Sequence, residues 1–330
     1  MTSVYIHIPF CKSICSYCDF CKMFYYQKWS TKYLIKLKEE ILDLYNGEEA
    51  RSIYIGGGTP SALKTKELEF LMDTIKVFNR SVTCEVTFEC NLEDITKELL
   101  EILKQNKVTR LSIGIQSFNE ENLKILGRNH SFDDAKEKMA LIREFGFKNV
   151  NLDLIYAIPN ETMKILKDDI KKFLKLEPDH ISTYSLMIEP NTLLWINGIR
   201  PIKEDKDEEM YHYICKTLEK KGFTHYEVSN FAKEGKESIH NLTYWNNEEY
   251  YGFGLSASGY IDQIRYTNTK NLTKYLEGEY KGAEEILSKQ DIMDNEMMLG
   301  LRKLKGIQKE EFEKKYQVKM EAVYPIKPSL

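Results

Sequence analysis

No stretch of the 330-residue sequence approaches eighteen consecutive apolar residues, the length that marks a membrane-spanning helix. The first residues, Met1-Thr2-Ser3-Val4-Tyr5-Ile6-His7, carry neither a basic n-region nor an apolar h-region, so no secretory signal is read there. Neither sign of charge is in surplus: 47 Lys and Arg stand against 51 Asp and Glu, a net charge of -4. Without a global basic field, nucleic acid is not expected as a partner. Low-complexity linkers are lacking, as is any internal repeat beyond an alternation of strand and helix. What is present is 42% hydrophobic and 30% charged, the balance of a globular chain with a real core. Its length suits one large domain or two ordinary ones. The expected location is cytoplasmic, a reducing compartment where cysteines are ligands or core residues and seldom disulfides.

Short β-rich runs recur at Val4–Ile8, Ser52–Ile55, Cys84–Phe88, Arg110–Ile115, Asn149–Ile155 and His180–Leu186. Amphipathic stretches separate them at Trp29–Tyr45, Thr65–Phe78, Ile95–Lys104, Phe132–Phe145 and Met163–Leu176, with apolar residues three to four apart. That alternation predicts βαβ units and a parallel sheet, an α/β fold. After Leu186 the rhythm changes. A helix is expected at Lys206–Lys221, then an Asn-, Gly- and aromatic-rich segment to Gly259, a strand at Tyr260–Tyr266, and helical stretches at Lys270–Glu277, Asp291–Lys305 and Lys309–Tyr316. Residues 1–190 are therefore expected to form a repetitive α/β core and residues 191–330 an attached α+β part.

The seven cysteines are unevenly spread. Cys11, Cys15, Cys18 and Cys21 fall within eleven residues, whereas Cys84, Cys90 and Cys215 are scattered and read as small buried hydrophobes. Cys11-x3-Cys15-x2-Cys18 puts three thiols on one loop directly after the first strand, which points to metal or redox chemistry. On an iron–sulfur cubane, three cysteines leave one iron open to a small chelating molecule. A structural zinc site completed by Cys21 or His7 is the competing reading, although the second C-x2-C knuckle expected for zinc is absent.

Cys-x3-Cys-x2-Cys preceded by Tyr5-Ile6-His7-Ile8-Pro9-Phe10 resembles the radical S-adenosylmethionine (SAM) superfamily, and within it the coproporphyrinogen-oxidase-like branch. Further motifs follow in the order of that branch: Tyr54-Ile55-Gly56-Gly57-Gly58-Thr59-Pro60-Ser61, Arg110-Leu111-Ser112-Ile113-Gly114-Ile115-Gln116-Ser117-Phe118, Asn151-Leu152-Asp153-Leu154-Ile155-Tyr156, Tyr226-Glu227-Val228-Ser229-Asn230-Phe231-Ala232, His240-Asn241-Leu242-Thr243-Tyr244-Trp245 and Leu299-Gly300-Leu301-Arg302. The resemblance implies a partial (β/α)6 barrel of the radical SAM type with a smaller α+β C-terminal part. It also implies a 4Fe–4S cluster on Cys11, Cys15 and Cys18, with SAM on the open iron. In such proteins the reduced cluster cleaves SAM to methionine and a 5′-deoxyadenosyl radical.

A parallel βα architecture gathers functional groups at the C-terminal ends of its strands. The cysteine loop, Gly56–Thr59, Glu89, Gln116 and Asp153 all fall at or near such ends. Taken singly, a glycine-rich turn is often only a tight turn, Glu89 a solvated strand end, and Gln116 or Asp153 a helix cap. Carried over residue by residue, the resemblance assigns Tyr5, Tyr17, Gly57, Gly58, Thr59, Glu89, Gln116, Arg128 and Asp153 to SAM contacts. Arg128 would pair with the methionine carboxylate, because its fork binds carboxylates bidentately.

Two kinds of protein share these motifs. Oxygen-independent coproporphyrinogen III oxidases decarboxylate two propionate side chains, whereas haem chaperones bind haem and deliver it to acceptor proteins. Oxidases carry a fourth cysteine two positions after the third. Here that position is Phe20, with Cys21 one further on. The first motif residue is Tyr5, which leaves no room for the N-terminal extension of the oxidases, and His240-Asn241-x-x-Tyr244-Trp245 resembles the chaperone motif. The expectation is thus a haem chaperone with haem as cargo and His240 as a candidate haem ligand. The alternative is an oxidase in which Cys21 stands in for the displaced cysteine. A second role for His240 and Trp245 is to brace the junction between the two parts, and His7 would support the cluster loop. No membrane anchor is expected, although a chaperone of respiratory proteins would meet the membrane transiently. The final stretch, Glu321 to Pro328, does not resemble the family's usual continuation, and the C-terminal part is expected to be truncated.

Overall fold

Six strands of alternating character build the centre of the protein. The computed structural model describes residues 1–325, and the last part of the expected tail, 326–330, lies outside the described residues. The strands are β1 (Thr2–Ile8), β2 (Ala50–Gly57), β3 (Arg80–Asn91), β4 (Arg110–Gln116), β5 (Val150–Tyr156) and β6 (His180–Ser185). All five neighbouring pairs are parallel and in sequence order. Between them run helices α1 (Gln27–Leu44), α2 (Thr65–Thr74), α3 (Lys97–Gln105), α4 (Glu120–Leu126), α5 (Phe132–Glu144) and α6 (Met163–Lys175).

The pleat sorts the residues. Val4, Ile6 and Ile8 of β1, Ile53 and Ile55 of β2, Val86 and Phe88 of β3, Leu111, Ile113 and Ile115 of β4, and Leu152 and Leu154 of β5 join one hydrophobic core with Leu34, Leu37, Leu71, Leu100, Ile142 and Ile170 of the helices. Each such side chain contributes about 1.5–3 kcal/mol by leaving water. The alternate positions are polar: Ser3, Tyr5 and His7; Ser52 and Tyr54; Glu85, Thr87 and Glu89; Arg110, Ser112 and Gln116; Asn151 and Asp153; His180 and Ser182. The inner face of the sheet is consequently a hydrogen-bonded polar surface. Parallel strands covered on both sides ordinarily read as continuous apolar runs, and here the period of two betrays a polar interior instead.

Helix starts are set by local chemistry. Thr96, Asn119, Ser131 and Thr162 each accept the N3 backbone N–H of the helix that follows, worth about 1 kcal/mol each. Gly146 closes α5 in the left-handed conformation, with φ +78°.

The sheet does not stop at β6. Strands β7 (Thr224–Glu227), β8 (Asn230–Ala232), β9 (Tyr250–Phe253), β10 (Ser258–Ile261), β11 (Ile264–Asn268) and β12 (Lys281–Ile286) complete a twelve-stranded order, β12-β11-β10-β9-β1-β2-β3-β4-β5-β6-β8-β7. Strand β9 lies parallel to β1 and adds a seventh parallel strand. Residues on both sides of position 190 thus share one sheet. The strand expected over Tyr260–Tyr266 is instead a hairpin, turned at Asp262 and Gln263 with φ of +51° and +64°, the left-handed pair of a two-residue type I′ connection. Buried Glu40 of α1 ties this region down, accepting from the Gly254 N–H (2.9 Å), Asn268 Nδ2 (2.5 Å) and the Tyr275 hydroxyl. Burial pushes its carboxyl up to about 7. Helices α7 (Glu204–Lys220), α8 (Ile239–Trp245), α9 (Lys289–Gly300) and α10 (Lys309–Tyr316) complete the C-terminal part. No helix among the described residues is long and apolar enough to cross a membrane.

Candidate functional site at the open end of the barrel

The loop from Cys11 to Cys21 leaves the end of β1 and is fastened at several points. At its neck Phe10–Cys11 pairs in parallel with Met23–Phe24, and Tyr25 N donates to Cys11 O at 2.8 Å. At its tip Ser16 N donates to Leu126 O (3.2 Å) at the end of α4, and Leu194 N donates to Ser16 O (3.0 Å). Backbone hydrogen bonds therefore hold the loop independently of its thiols. Thr59 Oγ1 donates to Cys11 Sγ at 3.4 Å. Burial pushes the Cys11 thiol up to about 11 and raises that of Cys18, so metal loading must displace protons from both.

Cys11, Cys15 and Cys18 line one cavity of about 350 Å³ together with Tyr17, Gly57, Gly58, Thr59, Glu89, Gln116, Arg128 and Asp153. Eight of the nine positions that the resemblance assigned to SAM contacts are brought together there. Tyr5 is not on the cavity wall; its hydroxyl is 2.9 Å from His7 Nδ1, one layer behind. His7 Nε2 donates to Cys21 O at 2.8 Å, so Nδ1 accepts from Tyr5. His7 thereby braces the end of the cysteine loop. Cys21 is also off the wall, its thiol hydrogen-bonded to Ser256.

The glycines are required by contact. A Cβ on Gly56 would lie 2.6 Å from the Glu89 carboxyl carbon, and one on Gly58 would lie 2.7 Å from the Pro9 carbonyl carbon and 3.0 Å from Cys11 Sγ. Gly57, at φ +114°, would place a Cβ 2.5 Å from the His7 ring. Its N–H donates to Glu89 Oε2 at 3.0 Å, while the Tyr54 hydroxyl donates to Oε1 at 2.6 Å. Burial, opposed by the Tyr54 hydrogen bond, pushes Glu89 up to about 7. Asp153 is likewise raised by burial and accepts from Asn151 Nδ2 at 2.8 Å.

Gln116 holds φ at +74°, in the left-handed region, at an irregularity in the β4–β5 register. Strain of this kind collects at functional sites. The result is a buried side chain turned into the cavity whose Oε1 has no partner. Arg128 Nη1 donates to Asn91 Oδ1 at 2.7 Å, a second bond joins it to Tyr17, and its Nε is unpartnered. Unused donors and acceptors facing the same space fit a polar, multifunctional ligand. Three thiols on the wall fit a cluster with one open metal. Among the described residues no three His, Cys, Asp or Glu side chains converge on a single-ion position.

His240 lies elsewhere. It is 1% exposed, under the sheet, and its Nδ1 is 2.9 Å from Ser52 Oγ and its Nε2 2.8 Å from Tyr244 Oη. Since Ser52 donates onward to Ser3 at 2.8 Å, Nδ1–H donates to Ser52 and Nε2 accepts from Tyr244. The lone pair that a haem iron would need is already used. Burial pushes the ring down to about 3, and Glu85 Oε1 accepts the His240 N–H at 3.3 Å. In this structure His240, the expected candidate haem ligand, clamps α8 against β2 and does not line the cavity, and Arg302 covers the Trp245 ring at 4.4 Å. Substituting His240→Ala is expected to orphan the Tyr244 hydroxyl at about 1–3 kcal/mol, while Ser52 keeps its bond to Ser3. The measurement is a thermal melt, together with haem titration that stays as in the native protein.

Several wall residues were not singled out from the sequence: Tyr54, Asn91, Arg110, Ser112, Asn151 and Tyr184. The signal was there in the row Arg110, Ser112, Gly114, Gln116, polar or small at every second position of a fully buried strand. A second groove, of about 1040 Å³ near α5, α6 and α7, is lined by Arg143, Lys167, Lys171, Lys221 and others, and includes none of the groups of the cysteine-lined cavity.

Fold and site together define the class: a partial parallel barrel carrying a three-cysteine loop and a glycine cradle at its open end. Residues 5–173 match the radical SAM superfamily, and residues 287–326 match the HemN C-terminal domain, so similarity continues past Arg302. The chain is 42% identical to a heme chaperone HemW of Lactococcus lactis, covering 98% of this chain and 87% of that protein. It is 38% identical to that of Bacillus subtilis (98% and 89%) and 34% identical to that of Escherichia coli (84% and 76%). Among solved structures, coproporphyrinogen III oxidase (HemN) from Escherichia coli superposes with a TM-score of 0.86 at 22% identity, covering 98% of this chain and 80% of that one, a likeness of fold. The chain belongs to the HemW family within the radical SAM superfamily.

Proposed function

We propose that the protein is a cytoplasmic haem chaperone that carries a 4Fe–4S cluster on Cys11, Cys15 and Cys18, binds SAM in the adjoining cavity, and passes haem to acceptor proteins. The observation that carries this reading is identity of 34–42% with three heme chaperones over most of the chain, together with Phe20 at the position where the oxidases have a fourth cysteine. On this reading residues 1–190 are the radical SAM core and residues 191–330 the part that completes it.

The division of labour among the residues follows from their chemistry. When bound, the cluster supplies an open iron and an electron. Arg128 would hold a carboxylate, Glu89 and Asp153 would take hydroxyl or ammonium groups, and Gln116 Oε1 would accept from a donor that the protein itself does not provide. Phe20, Tyr184 and Met187 border the cavity and stay exposed, 64% for Phe20 and 69% for Met187. Beside them Leu193, Trp195 and Ile196 are exposed on the one-turn helix that is bonded to the cysteine loop through Leu194. An apolar lip of this kind supports a flat hydrophobic cargo.

The test is anaerobic turnover of the reconstituted protein with SAM, reductant and coproporphyrinogen III, followed by haemin titration and transfer to an apo-acceptor. Coproporphyrinogen is expected to stay unchanged while haemin binds and moves on. Protoporphyrinogen with matching 5′-deoxyadenosine would establish the oxidase instead.

A further inference from the structure

The barrel interior holds a cation that nothing pairs. Arg110 opens β4 on the inner face, is 2% exposed, and lines the same cavity as Glu89 and Asp153. Its Nε has no partner, and it forms no salt bridge among the described residues. Burying a guanidinium unpaired is costly, and the strand register explains what offsets that cost. Arg110 is level with Thr87 on β3, which puts it one inward position below Glu89 and one above Glu85. Gly114, two inward positions further along β4, is level with Asp153 on β5, so Asp153 stands two inward rows above Arg110 on the same cavity wall.

We propose that Arg110 is a positioning residue of the cavity, the buried cation whose charge partly offsets the burial of Glu89 and Asp153 and so favours their charged, ligand-ready form. The inference rests on the reading of the cavity as a SAM site. The surrounding groups leave this role to Arg110. Tyr5 of β1, Tyr54 of β2, Tyr226 of β7 and Tyr244 of α8 are raised by burial and stay neutral, and the partly exposed Tyr184 at the rim is raised and neutral too. His7, His180 and His240 are lowered by burial and are neutral as well. Glu85, one inward position below, is raised by burial and held down by the same Arg110 charge and by the backbone N–H groups of His240 and Ile239, while Glu227 is engaged by Asn230 and Arg302. Arg128 is engaged by Asn91 and Tyr17, and Arg51 by Thr243 and Glu248. The positive charge of Arg110 opposes the burial that raises both Glu89 and Asp153.

Glu89 sits at about 7 in the native protein, so its carboxylate forms as pH rises through that value and SAM affinity should rise with it. In Arg110→Gln the midpoint should move up, so that affinity at pH 7 falls severalfold and returns near pH 9. Arg110→Lys should stay near the native profile. Equilibrium dialysis of SAM across pH 6–9 reads this, and a loss that is uniform across pH would overturn the proposal. A second measurement uses the unliganded protein and needs no Arg110 variant, so it survives an Arg110→Gln chain that fails to fold. The side-chain 15Nε resonance of Arg110 should titrate with Glu89 and lose that step in Glu89→Gln; a resonance indifferent to Glu89 would also overturn the role. Absence of SAM binding at any pH would refute the ligand assignment, while the resonance still decides the role of Arg110.

Discussion

Replacing Cys15 by alanine is expected to take reconstituted protein from about four iron atoms per chain to nearly none, with the folded structure retained. The expectation follows from how the loop is built. Its neck is closed by main-chain bonds of Cys11, Met23 and Tyr25, and its tip by Ser16 on Leu126 and Leu194 on Ser16, none of which involves a thiol. Cys15 is half-buried on the cavity wall, so truncation leaves no sealed void. Iron and acid-labile sulfide analysis reads the first effect, and circular dichroism the second. Cys90→Ala, in the hydrophobic core, and Cys215→Ser, on α7, should keep their iron. Cys21→Ala should keep it too, because that thiol is turned to Ser256 and lies off the wall. Native iron content in Cys15→Ala, or its loss in Cys21→Ala, would refute the three-thiol assignment.

Gly57→Ala is expected to cost about 2–6 kcal/mol, the sum of two penalties. The backbone at φ +114° is strained for any side chain, at about 1–3 kcal/mol. The added Cβ would also meet the His7 ring at 2.5 Å, an overpacking worth a further 1–3 kcal/mol, roughly. His7 cannot yield freely, since its two nitrogens hold Cys21 O and the Tyr5 hydroxyl. A drop in melting temperature of about 3–9 °C should follow. Gly47→Ala separates the two parts: it has φ +87° with nothing within 4 Å of its Cβ, so it carries the strain without the contact. Equal melting temperatures for the two variants would show that the His7 contact contributes nothing.

Much of this architecture was legible in the residues. The six parallel strands and the helices between them follow from apolar spacing; the caps that start three of those helices, Thr96, Ser131 and Thr162, are seen in the structure. Elements beyond residue 190 were harder to read. Strand β9 is four residues long and contains Gly252, where a Cβ would lie 1.9 Å from Ser258 O; a glycine in so short a run ordinarily argues against a strand. Helix α8 hides within a motif that looked like chemistry, and its N-terminal N–H is received by Glu85, 155 residues away.

The sequence by itself determined the class of fold, the three-thiol loop and the groups that meet at the open end of the barrel, because strand ends and motif spacing are local properties of a chain. Only the tertiary structure showed where His240 and Arg110 lie, His240 with both ring nitrogens engaged and Arg110 buried on the cavity wall. A histidine beside aromatics reads as a ligand until the fold commits both its nitrogens to Ser52 and Tyr244. An arginine at the start of a strand reads as a solvated end until its row turns inward between Glu85 and Glu89. Burial and hydrogen-bond partners come from residues distant in sequence, and they set whether a polar side chain braces the protein or serves its ligand.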